Sequence, residues 1–317
     1  MTPARPLRIV FFGTSDFALP ALHALTLDPD LVLSAVVTQP DRPVGRAQTL
    51  TAPPVKQQAL ERGVPVIQFE RVKSEEAYEA LRAISADLAV VASFGQIIPQ
   101  RVLDLYPRGV LNIHPSLLPS YRGAAPITAA IRDGLTQTGV SIMKMDALMD
   151  HGPVYIQITH PLEATDTTPR LSERLAQIGA DLLQEVIHKA ILEETLLPIA
   201  QDDTNATFVS LLRKEDGFID WLKPAATIEQ LIRAYTPWPG TYTHFEGKRL
   251  KILEARLGPL SELSPKQTLQ IEDLPTVVCG DRFTLILTKV QPEGGTAMDG
   301  GTFLRGRAHW GNTLVGT

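Results

Sequence analysis

In the stretch GVLNIHPSLLPSYRGAAPI, residues 109–127, an amide and an imidazole stand two residues apart, Asn112 and His114, around the single apolar Ile113. In a strand, residues i and i+2 project to the same side, so the two side chains converge. Two convergent donors suit the oxyanion of a tetrahedral intermediate, and an imidazole moves protons near neutral pH. The same groups could do no more than satisfy backbone at a strand end, and spacing leaves both readings open. A second segment, MKMDALMDHGPVYI, puts Asp150, His151 and Gly152 between two apolar runs. A carboxylate there can reach back to His114 and orient the ring, although Asp before a Gly-containing turn is also ordinary turn chemistry. The sequence has no Gly-x-Ser-x-Gly and no His-Glu-x-x-His, so neither a nucleophile elbow nor a helical zinc motif is present. What remains is a transfer reaction in which a substrate supplies the nucleophile.

Two further stretches bear on ligands. FFGTSDFALPAL carries one glycine, Gly13, where a dinucleotide fold needs three, which argues against a nicotinamide cofactor. Thr14, Ser15 and Asp16 read either as helix capping or as substrate contacts. The segment TQPDRPVGRAQTLTAPPVK, residues 38–56, is punctuated by Pro and Gly and carries Arg42 and Arg46, with Asp41 the acidic residue among them. Long loops in compact domains are usually functional or disordered. Two such arginines can hold phosphate, and a solvated surface loop is the competing reading.

The elements that must position these residues follow from periodicity. Apolar runs at 7–12, 31–37, 64–69, 87–93 and 109–113 alternate with helical stretches at 19–25, 54–62, 74–84 and 100–106. Strands apolar nearly throughout have both faces covered, as in a mostly parallel sheet wrapped by helices. Asn112 and His114 then lie at the carboxyl end of a strand, where open α/β sheets bind ligands. Runs at 139–145 and 153–161 have no helix-length segment between them, so an antiparallel extension is expected. Thr168-Pro169 opens a long helix with the stripe Leu171, Leu175, Ile178, Leu182 and Val186, ending near Ile191. QDDTNAT, residues 201–207, is polar and turn-rich and reads as a linker. Beyond it come a short helix at 228–234 and strands at 241–245, 249–255, 276–278 and 283–290, the spacing of a small barrel or sandwich.

Composition is compatible with this plan. The 317 residues are long for one core, which favours two domains. Hydrophobic residues at 44% and charged residues at 21% are in the range of soluble globular proteins, and the net charge of -5 demands no nucleic-acid partner. The single Cys279 excludes a disulfide framework or a cysteine-built zinc site within one chain, and it reads as packing. Neither a signal peptide nor a membrane-spanning run is expected, so a cytoplasmic location without membrane association is the expectation.

Taken together, FFGTSDFALPAL, VVTQPDRPVGR, SFGQIIP, NIHPSLLPSYRGAAPI, TGVSIMKMDALMDHGPVY, LLRKEDGFIDW and IRAYTPWPGTYT resemble the methionyl-tRNA formyltransferase family over almost the whole chain. The Asn-x-His and Asp set is common to folate-dependent formyltransferases, and the arginine loop with the IDW and PWPG segments narrows the resemblance. It implies a Rossmann-like catalytic domain over residues 1–200, a linker at 201–207 and an OB-like β-barrel over 208–317 that grips tRNA. It implies 10-formyltetrahydrofolate as co-substrate, no metal, and the amine of initiator methionyl-tRNA as acceptor. Asn112 and His114 would stabilise the oxyanion, His114 would move the proton to the leaving nitrogen, and Asp150 would hold His114. Phe94, Gly95, Ile97, Ile98, Ser116, Leu117, Leu118 and Pro119 would line the folate site. Arg42, with Arg46, Arg213 and Lys214, would contact tRNA. A monomer is expected. In the C-terminal region Arg213, Lys214, Arg233, Lys248, Arg249 and Lys251 could form a basic face, but Glu215, Asp216, Glu246 and Glu254 are interleaved with them. Rival readings are a formyltransferase acting on a nucleotide-linked amino sugar, a hydrolase that deformylates folate, and a binding protein with a dead site.

Overall fold

The structure, a computed structural model, describes residues 5–45, 48–307, 309–311 and 313–316. Arg46, expected to contact tRNA, lies outside the described residues. In chain order the elements are β1 (Leu7–Gly13), α1 (Leu19–Leu27), β2 (Leu31–Thr38), β3 (Arg42–Val44), β4 (Thr49–Thr51), α2 (Pro54–Glu61), β5 (Val66–Gln68), α3 (Glu75–Arg82), β6 (Leu88–Ala92), α4 (Gln100–Leu103), β7 (Val110–His114), β8 (Arg122–Gly123), α5 (Pro126–Arg132), β9 (Gln137–Lys144) and β10 (Val154–Pro161). They continue with α6 (Thr168–Val186), β11 (Phe208–Val209), α7 (Ala225–Ala234), β12 (Thr241–Phe245), β13 (Lys248–Leu260), β14 (Thr268–Ile271), β15 (Leu274–Val278), β16 (Phe283–Pro292), β17 (Met298–Asp299) and α8 (Gly300–Arg305). Contacts divide the chain into two units: Met1–Pro126 with Thr138–Pro161 and Ser172–Val209, and Ile127–Gln137 with Leu162–Leu171 and Ser210–Thr317.

The first unit is built on a seven-stranded sheet in the order β10-β9-β7-β6-β1-β2-β5. Strands β1, β2, β5, β6 and β7 run parallel, and β9 runs antiparallel to β7. The central strands β6 and β7 are buried at every residue, which is why they read as unbroken apolar runs rather than alternating ones. From β1 the chain goes to β2 on one side and to β6 on the other, so the order reverses there, and ligands of open α/β sheets sit at such a point beyond the carboxyl ends. Phe12, Val37, Val91, Val102 and Val110 belong to one buried cluster on this sheet. Ser74 caps α3 by accepting the Ala77 N–H at 3.2 Å, with Glu75 and Glu76 in the first turn. Helix α6 runs on into a π-turn over Ile187–Leu192, so the long helix predicted to Ile191 changes pitch near its end.

In the second unit β12-β13-β16-β15-β14 form an antiparallel path, with β17 paired to β16. This is the antiparallel β domain that the short C-terminal strands predict. Trp221, Ile228, Ile252, Leu285 and Phe303 belong to its buried core, and Cys279 is buried among them. Burial pushes the Cys279 thiol up to about 12, which leaves it a packing group.

Candidate active site

Strand β7 enters buried and ends at His114, so Asn112 (8% exposed) and His114 (4% exposed) sit on one face at the carboxyl edge of the sheet. The loop between β9 and β10 brings Asp150 to them. Asn112 Nδ2 donates to Asp150 Oδ1 at 3.4 Å, and His114 Nδ1 lies 3.6 Å from the same oxygen. The other ring nitrogen, Nε2, lies 3.0 Å from the Tyr121 carbonyl. A carbonyl only accepts, so Nε2 carries a hydrogen, and Nδ1 is the atom left facing the carboxylate. The remaining carboxylate oxygen, Oδ2, accepts the Gly123 N–H at 2.8 Å. Asn112, His114 and Asp150 therefore converge on one point.

Two glycines make this loop arrangement possible. A Cβ on Gly152 would lie 1.9 Å from the Lys144 carbonyl oxygen, and one on Gly123 would lie 2.3 Å from the Val209 oxygen at a φ of +113°. Both are close backbone approaches that no other residue allows. Asp150 itself has a φ of +47°, a conformation open to Asp and Asn more than to other side chains.

The contacts that hold the Asp150 loop were not legible in the sequence. Gln201 Nε2 donates to the Asp150 carbonyl at 2.8 Å and to the Gly152 carbonyl at 2.7 Å. Its Oε1 accepts from Arg122 Nε at 3.1 Å and Nη2 at 2.8 Å, and Arg122 also pairs with Asp203 at 2.7 Å. Arg122 and Gly123 pair in parallel with Phe208 and Val209. Segment 201–207, read as a linker, thus runs along the site and forms a 3-10 turn at Asp203–Asn205. His151 sits between Asp146 (2.7 Å) and Asp203 (3.2 Å). The Asp146 hydrogen bond raises the His151 pKa above its ordinary value, with Asp203 adding to it. Asp203 is held below the usual carboxylate range, first by Arg122 and then by His151.

The folate-site candidates divide by where their side chains go. The Phe94 ring packs edge-on against Phe12 at 5.3 Å in the core, and the Ser116 hydroxyl donates to the Ser120 carbonyl at 2.6 Å. Ile98 and Leu118 are also buried. These four can meet a ligand through backbone but not through free side-chain groups. Gly95 (φ +81°) and Ile97 are exposed, and Leu117 and Pro119 are half-buried. Ser141 and Gln157 brace the turn: Ser141 Oγ accepts the Leu118 N–H at 3.2 Å, and Gln157 Nε2 donates to the Leu118 carbonyl at 2.8 Å. Thr14 and Ser15 supply no cap; their hydroxyls donate to the Phe94 carbonyl (2.9 Å) and to the Ser93 hydroxyl (2.7 Å), tying the end of β1 to the segment after β6.

The arginine loop is a small hairpin in which Arg42 stands opposite Thr51. The acidic partner of Arg42 is a residue outside the loop rather than Asp41. Arg42 pairs with Glu70 at 2.7 Å, and Asp41 is engaged instead by Lys56 at 2.8 Å and by Gln68. The Lys56 ammonium holds the Asp41 carboxyl below its ordinary range. Sequence distance hid Glu70, which β5 brings close. The Arg42–Glu70 pair is exposed on both sides and so holds Arg42 weakly.

In the second unit Arg213 and Lys214 are exposed at the start of a 3-10 turn. Arg233 is tied to Glu229 at 2.6 Å, so it leaves the candidate basic face. The β12–β13 register places Tyr242 opposite Lys251 and His244 opposite Arg249. The Arg249 guanidinium lies 3.5 Å from the Tyr242 ring centroid, and Phe218 packs on Tyr242 and His244. Aromatic and cationic groups thus share one face of this ribbon, the type of surface that stacks bases and meets phosphate.

Among the described residues no helix is long and apolar enough to cross a membrane. One cluster of metal-ligand type occurs among them, Asp28, Asp30 and His188. It lies by the amino end of β2, at the opposite edge of the parallel strands from His114.

Residues 7–187 match a formyl transferase family and residues 211–308 match a formyl transferase C-terminal domain family. Methionyl-tRNA formyltransferase of Acidithiobacillus ferrooxidans is 45% identical over 302 residues, which is 94% of this chain and 95% of the relative. That of Dehalococcoides mccartyi is 43% identical over 311 residues, 98% and 99% of the two chains. A solved structure of an N-formyltransferase from Helicobacter canadensis, in complex with folinic acid and dTDP-3-aminofucose, superposes with a TM-score of 0.66 at 20% identity over 89% of this chain and 98% of that one. HypX from Aquifex aeolicus, in complex with tetrahydrofolic acid, superposes with a TM-score of 0.62 at 17% identity over 96% of this chain and 47% of that one. The solved structures share the fold; the sequence relatives, alike across both domains, establish that the chain belongs to the methionyl-tRNA formyltransferase family.

Proposed function

We propose that this chain transfers the formyl group of 10-formyltetrahydrofolate to the amino group of methionine on initiator tRNA, for translation initiation in the cytoplasm. The observation that carries the reading is the meeting of Asn112, His114 and Asp150 at the carboxyl end of β7, in a chain 43–45% identical to methionyl-tRNA formyltransferases across both domains. The donor supplies a formyl group on nitrogen, and the amine of the acceptor forms the new N–C bond as the old one breaks. In acyl transfer negative charge develops on the formyl oxygen, and donors preorganised around it account for a large part of the rate. The Asn112 Nδ2 hydrogen not given to Asp150 is such a donor, and His114 Nδ1 becomes one when it carries the proton. Asp150 keeps both side chains aimed at one point. The attacking amine must lose a proton and the leaving nitrogen must gain one, and His114 Nδ1 is the titratable atom placed to move it.

The exposed Gly95–Ile97 segment and the Leu117–Pro119 turn are where we place the donor's ring system, met largely by backbone. Arg42 on the hairpin, with Arg46, and the Arg213, Lys214, Arg249 and Lys251 cations are assigned to tRNA phosphates. We assign catalysis to residues 1–200, a connection at 201–207 and tRNA binding to 208–317, in a monomer without a metal requirement. An amino-sugar acceptor is the second reading, since the fold is shared with an N-formyltransferase solved in complex with dTDP-3-aminofucose. The deciding experiment supplies 10-formyltetrahydrofolate with either methionyl-tRNA or a nucleotide-linked amino sugar. Formylation of methionyl-tRNA is expected, and formylation of the sugar alone refutes the proposal.

A further inference from the structure

We propose that Gln201 and Arg122 are positioning residues for the Asp150 carboxylate, forming a brace that acts on its backbone and its side chain together. The Gln201 amide has two hydrogens to donate, and both go to the Asp150 loop, at 2.8 Å to the Asp150 carbonyl and at 2.7 Å to that of Gly152. Those carbonyls flank His151, so the amide closes the turn that carries the carboxylate. A flipped amide would set its oxygen against two carbonyls and its NH2 against a guanidinium. Arg122 forbids that orientation by donating twice to Oε1. Arg122 is 3% exposed, and it is fixed in turn by Asp203 and by the backbone pairing of β8 with β11.

The residue after Arg122 completes the brace, because the Gly123 N–H donates to Asp150 Oδ2 at 2.8 Å. One short strand pair therefore sets the carboxylate oxygen directly and the Asp150 backbone through Gln201. Asp150 needs such support. A non-glycine residue at positive φ persists only where its surroundings over-determine it. A carboxylate that holds a reacting histidine loses its value with displacements of about 1 Å, which cost on the order of a hundredfold in rate.

The brace rests on the proposal that Asp150 serves formyl transfer, and its test separates the two. Gln201→Met keeps the length and removes both donors. Q201E keeps an acceptor for Arg122 and removes the donation to both carbonyls. Each variant is assayed for methionyl-tRNA formylation, for its melting midpoint, and for hydrogen exchange at the Gly123 amide. The expected result is a fall in kcat of about ten- to a hundredfold, with KM for the formyl donor within about twofold and exchange at Gly123 faster by about tenfold or more. Q201E keeps its pairing with Arg122 but sets an oxygen against the two carbonyls, so kcat is compared well below the melting midpoints of both variants, where each is fully folded. Wild-type kcat in either variant, a loss that follows the melting midpoint, or unchanged exchange at Gly123 overturns the brace. If the wild-type protein itself leaves methionyl-tRNA unformylated, the proposed function fails, and exchange at Gly123 still decides the brace.

Discussion

Asp150→Asn is the sharpest test of the catalytic geometry, because Asn is the one replacement that preserves everything except charge and acceptor count. Asp150 sits at φ +47°, where Asn is tolerated and most side chains cost about 1–2 kcal/mol. The carboxylate accepts from Gly123 through Oδ2 and faces Asn112 and His114 through Oδ1. An amide oxygen can keep Gly123, but its NH2 then meets the Asn112 NH2, donor against donor. Turned the other way, it meets the Gly123 N–H. One charge-assisted contact is lost in either case, worth about 1.5–3 kcal/mol. At about 1.4 kcal/mol per tenfold, that alone is roughly a 10- to 150-fold fall in kcat. Losing the charge beside His114 takes the expected total to about a hundredfold or more. Stability should fall by no more than the same about 1.5–3 kcal/mol, since a single contact is removed in either orientation. Asp150→Ala adds the backbone strain and should melt lower by several degrees. The assay is single-turnover transfer of labelled formyl to methionyl-tRNA at saturating donor, beside thermal melts. Turnover within threefold of wild type in Asp150→Asn, or activity lost only in proportion to unfolding, would refute the reasoning.

Other outcomes follow from separate parts of the molecule. Arg42→Ala should lower kcat/KM for methionyl-tRNA at least tenfold while the KM for the formyl donor stays put; equal losses for both would remove Arg42 from tRNA contact. His151 should titrate above its ordinary value and return toward it in Asp146→Asn, as NMR of the ring would show. Because its folded pKa is raised, its contribution to stability is complete below about pH 6.5 and disappears as pH rises through the folded value; a melting midpoint that falls over this window in wild type but not in His151→Asn is expected. Cys279 should resist thiol reagents at pH 8 until the protein unfolds, and rapid labelling of the native chain would contradict its burial. Gly179→Val should destabilise by about 1–3 kcal/mol, because even a Cβ there would lie 2.6 Å from Ile113 Cγ2 on the strand that carries the site; an unchanged denaturation midpoint would count against that packing.

Strand alternation made Asn112 and His114 legible as partners, because a period of two needs no knowledge of the rest of the fold. The parallel sheet was legible from runs such as Leu88–Ala92, buried on both faces. Asp150 could be nominated but not placed, since a loop's reach depends on glycine contacts such as that of Gly152 with Lys144, which no local pattern encodes. Gln201 and Arg122 were out of reach for a different reason. Polar residues without periodicity look the same whether solvated or buried, and QDDTNAT reads as a linker on composition alone. Glu70 as the partner of Arg42 was hidden by chain distance. Strand β14 was missed because TLQI is too short to show alternation, and the strand follows a Pro-Lys turn that masks its start.

The pairing of β8 with β11 has a consequence for how the protein comes into being. Arg122 and Gln201 are 79 residues apart, and chains leave the ribosome N-terminus first and fold domain by domain. A nascent chain that has emerged as far as β10 already carries Asn112, His114 and Asp150, yet it lacks every donor that Gln201 brings to the loop. The site is finished only when the last residues of the first unit are made, just before the long C-terminal segment of the second unit begins. A fragment cut where the first family match ends, at residue 187, would therefore carry the three side chains that meet at β7 without the piece that holds their loop closed.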